Sequence, residues 1–452
     1  MLEKIFHLKE EKTNLTKEFI AGLTTFMAMS YVIFVIPSIL KETGMDYNSV
    51  YGATIIATII GTLIVGLVAN VPYSQSAGIG LASLVTYTIC GTLGYTWQQA
   101  LAMIFICGII NVIVTFTSLR KMIIKAIPTF LQESITVGIG LYISYIGLVN
   151  SGIIIFGADD IKNGIASNVV PQLANFNNNS VILAVIGLII ITILLIKKVR
   201  GSYLIGIILT TIIGIPLGVT KLPDFSNYTI IPSINKTFLK LDFAGLFNIN
   251  SGFLVIIMTI FTLCISDLFD TIGVFIGTGK KAGIFKIDEN GEIPKKLEKA
   301  LFADSIGTIV ASLLGTSNVS TYVESSAGIE AGGKTGLTSV FVALFFALSL
   351  VIAPIISCVP MAACAPVLIL IGVSMIENIS SINFKNIKIA VPAFFVIIMM
   401  PLTYSITTGI EFGFISYTIT NLFSSKKERD KISILIYIFS ILFIIKYIYQ
   451  AI

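Results

Sequence analysis

Two aspartates stand in the middle of an apolar stretch, FTLCISDLFDTIGVFIG, at residues 261–277. Asp267 and Asp270 are three residues apart and Asp267 and Thr271 are four apart, so a helix places all three on one side. Two carboxylates this close in a low dielectric cannot both ionise without a large free-energy cost, so one is expected to hold a proton. The pattern indicates a proton carrier. The alternative is a structural pair bonded to helix ends, but burying two acids for packing alone is rarely stabilising.

A second polar stretch, GTSNVSTYVESSAGIEAGGKTG, runs from residue 315 to 336. Unsatisfied polar groups in hydrocarbon cost several kcal/mol each, so this segment is expected to be irregular backbone facing a protein cavity. If residues 321–323 (Thr321, Tyr322, Val323) are extended and a half-helix begins near Glu324, the carboxylate and free backbone N–H groups point into one cavity. Such a cluster suits a flat ligand with donors and acceptors. The alternative for Glu324 is an acid that complements the helix dipole.

Other side chains are weaker candidates. Asp304, in LFADSIG, is expected to support this stretch as readily as to contact a ligand. Tyr31, Phe269 and Tyr322 could stack on a planar ligand, although ordinary packing is the usual role of an aromatic residue. Glu411 could gate, cap a helix or line an interface, and the local sequence leaves these three roles open.

The composition is that of a multi-pass membrane protein. The 452 residues are 55% hydrophobic and 12% charged, with a mean hydropathy of +0.95, which leaves too little polar surface for a soluble fold. The basic residues fall in short clusters between apolar runs, so nucleic-acid binding is not indicated. Five cysteines and one histidine suggest neither a disulfide framework nor a metal site, and no cofactor is expected.

The apolar runs predict two sets of seven membrane segments. The first set lies at about 19–40, 51–70, 75–90, 97–118, 128–150, 181–197 and 203–220. The second set lies at about 253–278, 299–314, 317–332, 336–357, 361–376, 387–402 and 406–424. The predicted domains are therefore an N-terminal tail (1–18), a first repeat (19–225), a second repeat (250–424) and an extra hydrophobic helix (432–450).

The positive-inside rule places the N-terminus in the cytoplasm, because 23 of the 29 Lys and Arg residues then lie inside. Seven segments are an odd number, so the second set enters the membrane with inverted topology, as in many transporters. Ser76-Ala77-Gly78-Ile79 in the third segment recurs as Ser326-Ala327-Gly328-Ile329 in the tenth. Interrupted, Gly-rich and Ser-rich segments in corresponding positions point to a transporter's binding site.

The chain resembles the nucleobase:cation symporter-2 superfamily, within its AzgA-like branch of adenine/guanine/hypoxanthine permeases. The matching stretches are residues 22–40, 126–153, 266–277, 300–340 and 399–417, and the likeness extends over about 14–450. The resemblance implies an all-α fold of fourteen transmembrane segments in two inverted repeats, with short strands in segments 3 and 10. It also implies a core domain (segments 1–4 and 8–11) and a gate domain (segments 5–7 and 12–14) that move as an elevator, coupled to protons.

The same resemblance implies roles for individual positions. Asp267 and Asp270 match the family's acidic pair, Glu324 matches the glutamate that bonds the base, and Asp304 matches a buried acid of the ninth segment. With Glu324 and Asp267, the expected substrate-binding residues are Tyr31, Gly78, Gly80, Ser83, Phe269, Thr321, Tyr322 and Val323. Asp267 and Asp270 are the expected proton carriers, and Thr271 and Asp304 are expected to support the site from behind.

One position departs from the family pattern. The family's third segment usually reads close to APGMGLNA, but here it reads SAGIGLAS, so Ala82 stands where a substrate-binding Asn is expected. Losing an amide that pairs with a ligand should cost affinity or relax selectivity. Ser83 or Gln75 could compensate.

The sequence therefore predicts a proton-coupled importer of purine bases in the cytoplasmic membrane, with the proton and the lipid bilayer as its other partners and a homodimer as a possible assembly. A transporter of uracil, xanthine or urate on the same fold is the alternative. An anion transporter is disfavoured because acids and no basic residue line the expected site. An enzyme is disfavoured because no nucleophile motif or intramembrane His is present.

Overall fold

The fold is described from a computed structural model of the 452-residue chain. The described residues are 2–117, 127–157, 170–199, 201–221, 233–247, 253–281, 284–285, 294–352, 358–424 and 433–451.

The structure is built almost entirely of helices. In the first half they are α1 (Leu2–Phe6), α2 (Leu15–Met29), α3 (Val32–Leu40), α4 (Tyr47–Ile64), α5 (Ile79–Ser83), α6 (Trp97–Phe116), α7 (Thr129–Asn150), α8 (Asn179–Ile196) and α9 (Ser202–Gly214). In the second half they are α10 (Phe243–Phe247), α11 (Phe253–Lys281), α12 (Lys295–Leu314), α13 (Ser325–Glu330), α14 (Gly336–Ser349), α15 (Met361–Met375), α16 (Ile387–Leu402), α17 (Ile406–Leu422) and α18 (Ile434–Ala451). Wider π-helical turns extend α4 over Val65–Ala69 and α5 over Leu84–Thr92.

The first apolar run forms two helices and begins earlier than the sequence predicted. Asn14 accepts a hydrogen bond from the N–H of Lys17 and caps α2, and the helix then breaks at Ser30–Tyr31 before α3. Glu18, which the sequence assigned to the N-terminal tail, is therefore a wholly buried helical residue. Helix α2 therefore begins at Leu15, within the predicted tail of residues 1–18.

In the described part of the chain, four short strands form two separate pairs. Strands β1 (Gln75–Ala77) and β4 (Val319–Thr321) are antiparallel, with Ser76 opposite Ser320. Strands β2 (Ile154–Gly157) and β3 (Val170–Leu173) form a second antiparallel pair. Each strand of the first pair is followed by a short helix, α5 and α13, so two broken segments meet at their midpoints. Backbone that is not helical can lie at this depth because its partner strand satisfies its polar groups.

The helices pack in two groups, and glycines stand at the closest crossings. In the first group α2 packs on α14 at Gly22, and α6 packs on α12 at Gly108. In the second group α7 packs on α15 at Gly147 and on α16 at Gly138. Small residues let helix backbones approach closely, which is how helices associate where water supplies no driving force.

The helix lengths agree with a multi-pass membrane protein. Among the described residues, six helical stretches have at least 18 residues and enough apolar character to cross a bilayer. Others, such as α9, α14 and α16, are apolar but shorter.

The C-terminal helix α18 packs antiparallel along α17. Lys446 near its end pairs with Glu411 near the start of α17, and Ser440 hydrogen-bonds Thr418 farther along. The helix also reaches α11, where the rings of Phe261 and Phe439 lie 4.1 Å apart.

Candidate functional site

The candidate site lies where the two broken segments cross. The backbone ladder of β1 and β4 is extended at both ends, since Gly78 N–H donates to the Asn318 carbonyl (2.9 Å) and Tyr322 N–H donates to the Ser74 carbonyl (3.0 Å). The side chain of Ser325, at the start of α13, accepts from the N–H of Ser74 (3.0 Å). The crossing is thus held by bonds from both halves of the chain.

Glu324 lies directly after β4 and faces a tyrosine from the break in the first segment. The Tyr31 hydroxyl donates to Glu324 Oε1 at 2.5 Å. Tyr31 lies in the turn that joins α2 to α3, where both Ser30 and Tyr31 keep right-handed helical dihedral angles and the backbone bonds change to the i→i−3 pattern. The neighbouring Tyr322 hydroxyl donates to the Ala77 carbonyl at 2.5 Å, and the rings of Tyr31 and Tyr322 lie 6.5 Å apart. A carboxylate and two aromatic rings therefore border the strand crossing.

Asp270, on α11, approaches the same crossing from the other side. It hydrogen-bonds the Ser320 hydroxyl and lies within electrostatic range of Glu324 and Tyr322. Gly78 makes this approach possible, because a Cβ on it would lie 2.8 Å from Ser320 Oγ and 3.5 Å from Asp270 Oδ2. The Asp270 carboxylate therefore lies next to the backbone at Gly78, between β1 and α5.

Asp304 supports the strands from behind. Its Oδ1 accepts hydrogen bonds from Gln75 Nε2 (3.0 Å), Thr271 Oγ1 (2.9 Å) and Thr321 Oγ1 (3.4 Å). Gln75 and Thr321 are opposite each other in the β1–β4 register. One carboxylate of α12 therefore ties both strands to α11, and Asp304 and Thr271 lie behind the strand pair.

Asp267 is wholly buried and contacts a different element from Asp270. Its Oδ2 accepts from Asn111 Nδ2 of α6 at 2.8 Å. Asn111 also contacts Cys107 Sγ (3.7 Å), which accepts from Asn318 Nδ2 at 3.4 Å. Asp267, Asp270 and Thr271, which the spacing places on one side of a helix, thus have three different sets of partners.

Tyr203, near the start of α9, is the site residue contributed by the second group of helices. Its ring lies 5.3 Å from that of Tyr31, edge to face, and it is within electrostatic range of Glu324. Within the described residues, Glu324 is hydrogen-bonded by the Tyr31 hydroxyl and a backbone N–H, and Asp270 is hydrogen-bonded by the Ser320 hydroxyl. These partners carry no positive charge. The site can accept hydrogen bonds from a flat, neutral, N–H-bearing ligand, and it opposes an anion.

Comparison with known proteins decides the family. The model of the Permease family matches residues 16–412. The chain belongs to this permease family. A permease of Methanocaldococcus jannaschii is 40% identical over 100% of this chain and 99% of that protein. The guanine/hypoxanthine permease PbuO of Bacillus subtilis is 38% identical (98% and 99%), and the adenine permease AdeP of Escherichia coli is 35% identical (99% and 96%).

The family assignment confirms the prediction that the chain is a permease rather than an enzyme. The transmembrane domain of the cyanobacterial bicarbonate transporter BicA has the same fold, with a TM-score of 0.64. The match covers 87% of the permease and 97% of that chain at 16% identity. The prediction of a helical transporter fold is thereby confirmed.

The remaining predicted ligand residues are spread around the crossing. Gly80 faces α7, where an added Cβ would lie 3.1 Å from Ile139 Cγ2. Ser83 is wholly buried, and its carbonyl accepts from the Tyr142 hydroxyl at 3.3 Å. Val323, between the site residues Tyr322 and Glu324, is 53% exposed. The side chain of Phe269 lies outside the described part of the structure.

Two of the expected donors are already engaged. The N–H groups of Gly78 and Tyr322 hold the strand pair, so backbone donors to a ligand remain a prediction only for residues 79–80 and 323–324. Gln75 does not replace the Asn that Ala82 lacks, because its amide donates to Asp304 and Thr321.

Sequence reasoning missed Asn111, Tyr203 and Glu18. A lone amide in the apolar ICGIINVIVTF of α6 was the available signal for Asn111. Tyr203 carries no such signal, because its role arises from the packing of α9 against the break at Tyr31. Glu18 follows a capping Asn14 by four residues, which indicated that the helix had already begun.

Proposed function

We propose that this permease imports purine bases (adenine, guanine or hypoxanthine) across the cytoplasmic membrane together with protons, by an elevator movement. The full-length relatives that are named adenine and guanine/hypoxanthine permeases support the substrate class. The observation that carries the proposal is the pair of carboxylates, Glu324 and Asp270, at the crossing of β1 and β4. Purine bases present ring N–H and amino donors on their edges, which these carboxylates accept.

Tyr31 is the residue that a purine would replace at Glu324. Its hydroxyl donates to Oε1 at 2.5 Å, so the carboxylate keeps a hydrogen bond when the ligand is absent. A ring N–H of the purine takes over this bond, and the aromatic faces of Tyr31 and Tyr322 flank the base. The exchange of one donor for another keeps a buried charged group satisfied throughout the cycle.

The two aspartates have separate roles in this proposal. Asp270 borders Gly78 and Ser320, so it belongs with Glu324 in ligand binding. Asp267 is wholly buried against Asn111, which connects it through Cys107 to Asn318 at the edge of the crossing, and it carries the coupling proton. An amide next to a carboxylate suits this task, because Asn111 can donate to the charged form, and its oxygen can accept from the protonated form after the amide turns.

The two groups of helices correspond to the core and gate domains that the family resemblance implies. The core comprises α2–α6 and α11–α14, and the gate comprises α7–α9 and α15–α17. The antiparallel pairing of β1 with β4 at corresponding positions of the two halves supports fourteen segments in inverted repeats. The base lies on the core and faces the gate through Tyr203, so a movement of the core relative to the gate carries it across.

Uptake by two charge-neutralised variants in a permease-deficient host tests the site. Glu324→Gln removes the charged acceptor and should lower hypoxanthine uptake about 100-fold, since a buried hydrogen bond to a charged group contributes up to about 3 kcal/mol. Glu330→Gln is the matched control, because Glu330 is exposed at the end of the short helix α13 that begins directly after Glu324. Wild-type uptake of adenine, guanine and hypoxanthine by Glu324→Gln would contradict the ligand role.

Proton coupling is tested separately with Asp267→Asn. The amide keeps an acceptor for Asn111 but cannot exchange a proton, so exchange of purine across the membrane should persist while concentrative uptake is lost. In the wild type an inward proton gradient should raise uptake and an uncoupler should abolish it. Uptake that is indifferent to both treatments would refute coupling to protons.

A different planar base, such as uracil, xanthine or urate, is the second candidate, because Ala82 is wholly buried where the family has an Asn. Competition of purines and pyrimidines against labelled hypoxanthine distinguishes these substrates. The fold shared with a bicarbonate transporter does not favour an anion, because two carboxylates border this site and like charges repel.

A further inference from the structure

Four tyrosines close the seam between the two groups of helices on the side of Glu42. Tyr404, in the break between α16 and α17, lies 5.8 Å from Tyr87, 6.2 Å from Tyr142 and 5.4 Å from Tyr145, all edge to face. Tyr87 belongs to the wide helical turn after α5, whereas the other three belong to the second group of helices. The cluster therefore joins the two groups that the proposed transport cycle moves apart.

The backbone of Tyr404 is held in an unusual conformation. Its φ of +52° lies in the left-handed region, which is a genuine outlier for a bulky side chain. The Thr88 hydroxyl, from the other group, donates to the Tyr404 carbonyl at 3.0 Å. Such strain persists only where the surroundings fix it, and it is found at switch regions. The contact with Thr88 is one of the interactions that fix it here.

A hydrogen-bond chain crosses the seam beside this ring cluster. Asn150 Nδ2, at the end of α7, donates to the Tyr87 hydroxyl at 2.9 Å, and the hydroxyl in turn donates to the Glu42 carboxylate. Glu42 lies in the turn after α3, so the chain links α3, the turn after α5, and α7. Tyr87 is the central member of this chain, because its one hydroxyl both accepts from Asn150 and donates to Glu42.

The cluster lies directly beyond the candidate site along α5. Ser83 ends this helix, and its carbonyl accepts from the hydroxyl of Tyr142, a member of the cluster. The short helix α5 starts at Gly78, beside Asp270. A ligand leaving the strand crossing along α5 toward Glu42 therefore meets Tyr404 and Tyr87.

We propose that the Tyr404 side chain closes the transport path on the side of Glu42. The hydrogen bond from Thr88 and the ring of Tyr87, which the Glu42–Tyr87–Asn150 chain fixes, hold it in the closed position. The proposal rests on the transport function proposed above. Opening requires the Thr88–Tyr404 and Asn150–Tyr87 bonds to break together, so the hydroxyls of Tyr87 and Thr88 set how often the path is open.

The test measures access to a cysteine placed behind the gate. Ser83→Cys is introduced into a protein in which the two partly exposed cysteines, Cys90 and Cys358, are serine. A membrane-impermeant methanethiosulfonate is then applied to oriented membrane vesicles. A separate Glu42→Cys protein identifies the face from which this side of the seam is reached.

Tyr87→Phe and Thr88→Val should each raise the labelling rate at position 83 about five- to tenfold, because this factor corresponds to the free energy that one hydrogen bond contributes to the closed state. The increase should occur only from the face that labels Glu42→Cys. Tyr145→Phe is the matched control and should leave the rate unchanged, because its hydroxyl is not part of the Glu42–Tyr87–Asn150 chain.

Unchanged labelling in both Tyr87→Phe and Thr88→Val, or an increase from the opposite face, would overturn the gate. Labelling does not depend on which substrate is carried. If the rates change as expected and hypoxanthine does not protect position 83, the gate holds and the purine assignment fails.

Discussion

Lys446→Met tests whether the buried ion pair fixes α18 to the rest of the molecule. Lys446 Nζ lies 2.5 Å from Glu411 Oε1, with side chains that are 10% and 0% exposed. The Tyr447 hydroxyl donates to the other oxygen of Glu411 at 2.6 Å. Methionine keeps the length and apolar stem of lysine but removes its charge, so the change isolates the electrostatic partner.

The expected cost follows from what the substitution leaves behind. Breaking a buried pair by removing one partner typically costs about 3 to 5 kcal/mol, because the other charge stays buried without compensation. Tyr447 retains one hydrogen bond to Glu411, which places the cost near the lower limit. At about 2.1 cal/mol/K per residue, about 3 kcal/mol corresponds to a fall of about 3 °C in melting temperature for this chain. In Glu411→Gln/Lys446→Met no charge remains, so most of the stability should return.

The assay is thermal unfolding of the four proteins of this double-mutant cycle in one detergent. Lys385→Met, at an exposed lysine in the turn before α16, is the control for a lost surface charge and should change stability little. A cost below about 1 kcal/mol for Lys446→Met, with no gain in the double variant, would refute the buried pair.

Two further substitutions test the strand crossing and the start of α14. Gly78→Ala should lower uptake without preventing membrane insertion, because its Cβ would lie 2.8 Å from Ser320 Oγ and would move the hydroxyl that bonds Asp270; uptake and surface expression measured together check this. Glu18→Gln should lower thermal stability by about 1 to 2 kcal/mol, because Glu18 accepts from the N–H groups of Lys334, Thr335 and Thr338 at the N-terminus of α14.

The sequence predicted the elements of the site better than their contacts. Composition and interrupted polarity were enough to predict the broken segments around Gly78 and Glu324, because polar backbone at membrane depth has few structural solutions. The i, i+3 spacing of Asp267 and Asp270 was not enough to predict their partners. Residues three apart on a helix differ by about 60° in direction, which on a helix packed on several sides leads to different neighbours. Asn111 and Ser320 therefore had to come from the tertiary structure.

The placement of the C-terminal helix is a second feature that the sequence alone was not enough to predict. Hydropathy left open whether residues 432–450 cross the membrane or lie along it, because both placements require an apolar helix. The contacts fix the position of α18 beside α17, since the two helices pair at Glu411 and again at Thr418, antiparallel and about two turns apart. Its Phe439 also packs on Phe261 of α11, which belongs to the proposed core. Helix α18 is thus bound to the proposed gate by a buried ion pair and contacts the proposed core through aromatic rings. We expect it to move with the gate. Ring contacts can shift, whereas separating the buried charges has the free-energy cost derived above.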